Sequence, residues 1–206
     1  MDYQVSIVGG GVSGALLALY LGKAGVSTCL IDKGTPSVKS ESPFTGRTTS
    51  LNLSSIESLK QAGIWDAVKK SSQEFNEIFV WDAEGSSSVR FHADEIEKKD
   101  LGVIAHNKII LEALYEEIRN ISEIFLIEEE SLSDLNQDQK EINIETNSGT
   151  FISSELLIGA DGSLSRVRDL SRIPIRTWSY EQLAIVTSVK TEKSLNKTAF
   201  QIFTDT

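Results

Sequence analysis

A glycine-spaced segment near the start constrains this chain more than any other feature. Gly9-Gly10-Gly11-Val12-Ser13-Gly14 follows an apolar-rich run, Tyr3-Gln4-Val5-Ser6-Ile7-Val8, and leads into Ala15-Leu16-Leu17-Ala18-Leu19-Tyr20-Leu21. The first run has the composition of a buried parallel strand, and the last reads as a helix. Free backbone N–H groups at a helix N-terminus hold an anionic pyrophosphate, and the helix dipole favours it there. In such a cradle Gly9 permits the tight turn, Gly11 lets the backbone approach the phosphates, and Gly14 lets helix and strand pack closely. The helix is expected to end near Lys23-Ala24-Gly25, with Gly25 as its cap. A second strand, Ser27-Thr28-Cys29-Leu30-Ile31, finishes on Asp32, 18 residues beyond Gly14. A carboxylate at that spacing reaches ribose hydroxyls. Strand, helix, second strand and terminal acid in register predict dinucleotide binding. The competing reading, a glycine-rich turn in an unrelated sheet protein, has to treat Asp32 as coincidence. The cradle itself fits NAD or FAD, because an acid on the ribose argues against a 2′-phosphate.

Composition narrows the class. A chain of 206 residues makes one large domain or two small ones. Its 40% hydrophobic and 24% charged residues are ordinary for a soluble globular protein. The net charge of −10 argues against a nucleic-acid partner and against simple electrostatic docking on anionic lipid. An apolar membrane contact stays open. The single cysteine, Cys29, cannot form an internal disulfide, and its place within a strand reads as packing. The first strand begins at about residue 3, which leaves no room for a signal or transit peptide. No apolar run approaches the length of a membrane span. A reducing, cytoplasmic compartment is therefore expected.

The remaining pattern is mixed. A polar connection runs from Thr35 to Gly46, then Arg47 to Leu53 precede a helix over Ser54–Gln61 that Gly63 stops. Ile78–Asp82 and Ser88–Phe91 flank Ala83-Glu84-Gly85 as two strands around a turn. Ile109, Leu111, Leu114 and Ile118 have helical spacing within Lys108–Ile118, and Glu123–Ile127 reads as a short strand. Glu141–Thr146 and Thr150–Ile152 alternate around Asn147-Ser148-Gly149, a hairpin signal. Glu155–Ile158, Leu183–Val189 and Thr198–Phe203 read as further strands. A β-α-β opening followed by antiparallel strands predicts a mixed α/β protein and argues against a plain NAD domain.

A second motif decides among dinucleotides. Gly159-Ala160-Asp161-Gly162-x-x-Ser165-x-Val167-Arg168 resembles the second flavin motif of FAD-dependent aromatic hydroxylases, in which the Asp-Gly turn lies near the flavin pyrophosphate. Within that class the chain is similar to the ubiquinone-biosynthesis hydroxylase family. The resemblance rests on Val80-Trp81-Asp82-Ala83-Glu84-Gly85, on Leu101-Gly102-Val103-Ile104 with Asn107, and on Trp178-Ser179-Tyr180-x-Gln182-x-Ala184-Ile185-Val186. Asn196-Lys197-Thr198-Ala199-Phe200-Gln201-x-Phe203 adds to it, so the blocks run in family order from residue 3 to residue 203. The resemblance implies an α/β fold: a Rossmann-like FAD-binding domain of the glutathione-reductase type, as in p-hydroxybenzoate hydroxylase, with part of an interleaved antiparallel-sheet substrate domain. The expected division is 1–75 and 100–175 for the FAD-binding domain, with 76–99 and 176–206 an incomplete substrate domain. It further implies FAD as cofactor, NAD(P)H as electron donor, O₂ as co-substrate and hydroxylation of a polyprenylated phenol ring. Peripheral attachment to the inner face of the membrane, or to a ubiquinone-biosynthesis complex, goes with that substrate.

The resemblance assigns cofactor-binding roles to Gly9, Gly11, Gly14, Asp32, Arg47, Asn107, Asp161 and Gly162. Three of them have a plainer reading as well. Asp161 could brace a glycine-rich turn through its own hydrogen bonds, Arg47 could be a solvated loop charge, and Asn107 reads equally as a helix N-cap. Asp32 stands in place of the glutamate usual in the family, and its shorter carboxylate still reaches a ribose. His106 stands where this branch carries an acid, and neither His92 nor His106 has a catalytic signature. Trp81, Trp178 and Tyr180 read as packing residues of the substrate domain. No nucleophile triad or metal cluster is legible, and no catalytic residue can be named. The family's third flavin motif, of Gly-Asp-Ala-x-His type, has no counterpart here, and family members are about twice as long. The expectation is a fragment with low or no hydroxylation activity alone. A non-catalytic FAD- or nucleotide-binding module and another FAD-dependent aromatic hydroxylase are the alternatives.

Overall fold

The structure is a computed structural model that describes residues 2–34 and 46–204. All but the last residue of the Thr35–Gly46 connection therefore lies outside the described residues. In chain order the elements are β1 (Asp2–Val8), α1 (Val12–Lys23), β2 (Thr28–Ile31), β3 (Thr48–Asn52), α2 (Leu53–Gln61) and α3 (Trp65–Lys69). There follow β4 (Gln73–Phe75), β5 (Glu77–Asp82), β6 (Ser88–His92), a single 3-10 turn (Ala93–Ile96), β7 (Gly102–His106) and α4 (Asn107–Ile118). The chain finishes with β8 (Ile124–Ile127), β9 (Leu132–Gln137), β10 (Ile142–Thr146), β11 (Phe151–Gly159), α5 (Arg166–Leu170) and β12 (Thr198–Phe203). They divide into two compact units, Met1–Ser40 with Ile110–Ile185, and Glu41–Ile109 with Val186–Thr206.

The first unit is built on a six-stranded sheet of order β8-β2-β1-β11-β10-β9. β1 pairs in parallel with both β2 and β11, and β2 in parallel with β8. The β10 strand joins β11 and β9 antiparallel. β1, α1 and β2 form the expected β-α-β unit, and α1 packs on β1, β2 and β8. The turn after α1 is closed by Gly25, at φ +78°, and by the Val26 N–H donating to the Leu21 carbonyl. Cys29 and Ile31, two apart on β2, share one sheet face with Val8, Ile144, Ile152, Leu132 and Val167. Cys29 is fully buried, and burial pushes its thiol up to about 12, so it is an inert packing group.

The predicted hairpin forms, with Ile144 opposite Ile152 and Gly149 in the turn at φ +83°. The two strands read at 150–152 and 155–158 are one continuous strand, β11. Ser153 and Ser154 looked like a break, but β1 pairs with them on one side and β10 on the other. Hydrogen bonding from two neighbours overrides weak local propensity.

The second unit holds two three-stranded sheets, β3-β7-β4 and β12-β5-β6. The first is antiparallel throughout. Asn52 starts α2 one residue earlier than the pattern suggests, its side chain accepting from the Ser55 N–H at 2.8 Å. The β5–β6 pair is antiparallel as read, whereas β12 lies parallel to β5. Trp81 and Phe79 stack at 5.2 Å, with Phe200 edge-on to both.

Two expectations fail between α5 and β12. Leu183–Val189 forms no strand and pairs with no described strand. Trp178 and Tyr180 are exposed and touch each other at 6.2 Å, so they do not pack a core.

Candidate dinucleotide site

The parallel strands of the first unit end together, and their carboxyl ends carry the site. β1 runs into Gly9, β2 into Asp32 and β11 into Ala160-Asp161-Gly162. Ligands of open α/β sheets bind along this edge, where adjacent connections diverge. A cavity of about 320 Å³ lies there, lined by Gly9, Gly11, Asp32, Asp161 and Gly162 among others. That volume is at the lower end of the ligand-pocket range, roughly 300 Å³ upward.

The glycine loop fits an anion on three counts. Gly9 adopts φ +108° and abuts the Ala160 carbonyl, where a Cβ would overlap the backbone. Gly14 is buried in the first turn of α1, and a Cβ there would overlap the Gly9 carbonyl oxygen. Gly11, the N-cap of α1, has no atom of the described residues within 4 Å of where a Cβ would stand. Among the described residues no side chain caps α1, and no acid occupies its first turn. The N–H groups of that turn are therefore available to an external anion.

Asp32 ties the loop together. Its Oδ2 accepts from the Gly10 N–H and its Oδ1 from the Gly34 N–H, the latter at 2.8 Å. Each oxygen keeps a lone pair that a ribose hydroxyl could use. Asp161 lines the cavity, yet its carboxylate is engaged locally. Oδ1 accepts from the Ser165 hydroxyl at 2.6 Å, and Oδ2 from the Arg166 and Val167 N–H groups at 2.6 and 3.2 Å. Ser165 in turn caps α5 by accepting from the Arg168 N–H at 3.1 Å. Gly162 completes this turn at φ +86°.

Arg47 and Asn107 belong to the second unit. Pairing of β3 with β7 brings them together: the Asn107 N–H donates to the Arg47 carbonyl at 2.9 Å, and the Asn107 side-chain oxygen accepts from the Thr49 hydroxyl. The Arg47 side chain is exposed. His106 sits beside Gly46, and His92 caps the 3-10 turn by accepting from the Asp94 N–H.

Several lining residues escaped the sequence reading. Glu130 and Ser131 follow β8, the parallel neighbour of β2, and the Glu130 N–H donates to the Asp32 carbonyl at 2.9 Å. Hydrogen bonds from Ser148 hold the Glu130 carboxyl below its usual range. Their position just past a parallel strand was the available signal. Tyr115, on α4, donates from its hydroxyl to the Gly10 carbonyl at 3.1 Å and left no local signal. Among the described residues no group of His, Cys, Asp or Glu could hold a metal ion, and no helix is long and apolar enough to cross a membrane.

A parallel β-α-β unit with a glycine loop, an acid at the end of β2 and a cavity at the strand ends defines a Rossmann-type dinucleotide-binding domain. The chain belongs to the FAD binding domain family, whose description matches residues 2–202. It is 32% identical to the mitochondrial ubiquinone biosynthesis monooxygenase COQ6 of Caenorhabditis elegans, over 98% of this chain and 48% of that protein. It is 30% identical to the 3-demethoxyubiquinol 3-hydroxylase of Escherichia coli K12, over 98% of this chain and 52% of that enzyme. The chain thus spans about half the length of these relatives. Among solved structures, PqsL from Pseudomonas aeruginosa superposes with a TM-score of 0.74 at 20% identity, over 87% of this chain and 48% of that one. The p-nitrophenol 4-monooxygenase PnpA from Pseudomonas putida DLL-E4 gives 0.68 at 21% identity, over 82% and 44%. These likenesses show the shared fold.

Proposed function

We propose that this chain is the FAD-binding portion of a flavin-dependent monooxygenase that hydroxylates the ring of a polyprenylated ubiquinone precursor, using NAD(P)H and O₂. The observation that carries this reading is the likeness to ubiquinone hydroxylases of two kingdoms over 98% of the chain. The site geometry supports the cofactor half of it. Gly9, Gly11 and Gly14 shape the pyrophosphate cradle, and the first turn of α1 donates to the phosphates. Asp32 accepts ribose hydroxyls through its remaining lone pairs. Asp161 holds the turn that sets Gly162 at the cavity edge, and Arg47 and Asn107 keep the flavin-binding roles that the family likeness implies for them. Bound FAD supplies the electron transfer between NAD(P)H and O₂; the chain's own residues bind, orient and desolvate it. The FAD-binding domain is assigned to 1–75 and 100–175, the remainder to the substrate side. A polyprenylated substrate resides in a bilayer, which favours peripheral membrane attachment; a cytoplasmic setting is part of the same proposal.

The test is the visible absorption spectrum of the purified chain after incubation with FAD and desalting. Retained flavin bands are the expected outcome, with NAD(P)H-driven bleaching tested next. A chain that emerges colourless and also fails to bind ADP would sink the cofactor assignment.

A further inference from the structure

The middle position of the glycine cradle is unconstrained by the Gly-x-Gly-x-x-Gly spacing, yet here it is also glycine. The structure supplies a reason. The Gly10 N–H donates to Asp32 Oδ2, and the Gly10 carbonyl accepts from the Tyr115 hydroxyl at 3.1 Å. A Cβ at Gly10 would overlap that hydroxyl and press on the Asp32 side chain. Tyr115 is only 1% exposed and comes from α4, 105 residues further along the chain. Burial, and then the nearby charge of Asp32, push its phenol above the usual range, so it remains a neutral donor.

Peptide planarity turns this contact into a statement about the ligand. The Gly10 carbonyl and the Gly11 N–H belong to one planar trans unit and point in opposite directions. Holding the carbonyl on the Tyr115 side aims the Gly11 N–H the other way, and Gly11 lines the cavity. The preceding peptide is held by Asp32 in the same manner. We propose that Tyr115 is a positioning residue of the dinucleotide site, whose hydroxyl fixes the Gly10–Gly11 peptide so that the Gly11 N–H is presented to the ligand pyrophosphate. The assignment rests on the FAD reading above and deepens it. Its energetic content is preorganisation: without the hydroxyl the peptide must be ordered at the moment of binding.

The experiment compares the full chain with Tyr115→Phe, which keeps the ring and removes one oxygen. ADP and adenosine are titrated into each protein, because only ADP carries the pyrophosphate. The ADP-to-adenosine affinity ratio is expected to fall roughly three- to tenfold in Y115F, the worth of one hydrogen bond. A merely structural role for Tyr115 would weaken both ligands together. The ligand-free proteins give a second readout, the amide ¹⁵N resonance of Gly11, which is expected to shift in Y115F while that of Leu19 stays in place. This readout also serves should Y115F be less stable, since it needs only folded protein. An unchanged ADP-to-adenosine ratio in Y115F, or an unmoved Gly11 amide, overturns the assignment and leaves the FAD reading standing. Wild-type protein that binds neither FAD nor ADP overturns both.

Discussion

At Asp32 one carboxylate serves two loops, and this sets how its replacement should behave. It accepts from Gly10 in the glycine loop and from Gly34 at the start of the next connection. Truncation to alanine leaves both N–H groups without their partner in a part-buried setting. An unsatisfied buried donor costs about 1–3 kcal/mol. D32A is therefore expected to lower the urea midpoint by that order even without cofactor. D32N keeps one carbonyl acceptor but turns an amide donor toward the other N–H, so its stability should fall between wild type and D32A. Under the proposed FAD reading, FAD affinity should fall in both variants, because neither keeps the anionic acceptor proposed for the ribose. A wild-type urea midpoint in D32A would mean that the two backbone contacts carry no weight.

At the scale of elements, α5 depends on a small network. Asp161 accepts from Ser165, Arg166 and Val167, and Ser165 accepts from Arg168. N-cap removal costs about 1 kcal/mol, so D161A and S165A should each destabilise the chain by that order in urea unfolding. The double variant should lose less than the sum, with a coupling of about 0.5–1 kcal/mol, because the two side chains bond each other. Strict additivity would show that they act independently. The same network marks the limit of sequence reading. Its glycine turn and its acid were legible through the resemblance to a flavin motif, and a turn-bracing role for Asp161 stood beside it. The engagement with α5 was not legible, because helix, turn and cofactor place similar demands on an Asp-Gly pair. β1, α1, β2, α4 and the β10–β11 hairpin were legible because period and turn residues agree within each. β9 was not, since Leu132-Ser133-Asp134-Leu135-Asn136-Gln137 is polar and half exposed and takes its strand geometry from β10. Leu183–Val189 shows the opposite case: its composition is strand-like, yet it pairs with no described strand, and composition alone does not make a strand. Tyr115 was read only as part of a helix, because nothing local announces a contact 105 residues away.

For the whole molecule, the segment between α5 and β12 decides solution behaviour. It carries Ile173, Ile175, Trp178, Leu183, Ile185 and Val189 in the open, with Leu183 97% and Ile185 91% exposed. Apolar exposure concentrated in one segment favours association. The net charge of −10 opposes it at long range, but salt screens that repulsion beyond about 8 Å at physiological ionic strength. The chain is therefore expected to self-associate more as salt rises, the reverse of an ion-paired interface. Side chains so exposed bury almost nothing, and burial contributes only about 25 cal/mol per Å² of apolar area removed from water. Replacing Leu183, Ile185 and Val189 together by serine should thus leave the thermal midpoint of the monomer unchanged while lowering the apparent mass by light scattering at high salt. A midpoint that drops by several degrees would mean that the segment packs against the protein in solution. Unchanged association in the triple variant would place the adhesive surface elsewhere, with the exposed aromatic pair Trp178 and Tyr180 the next surface to alter.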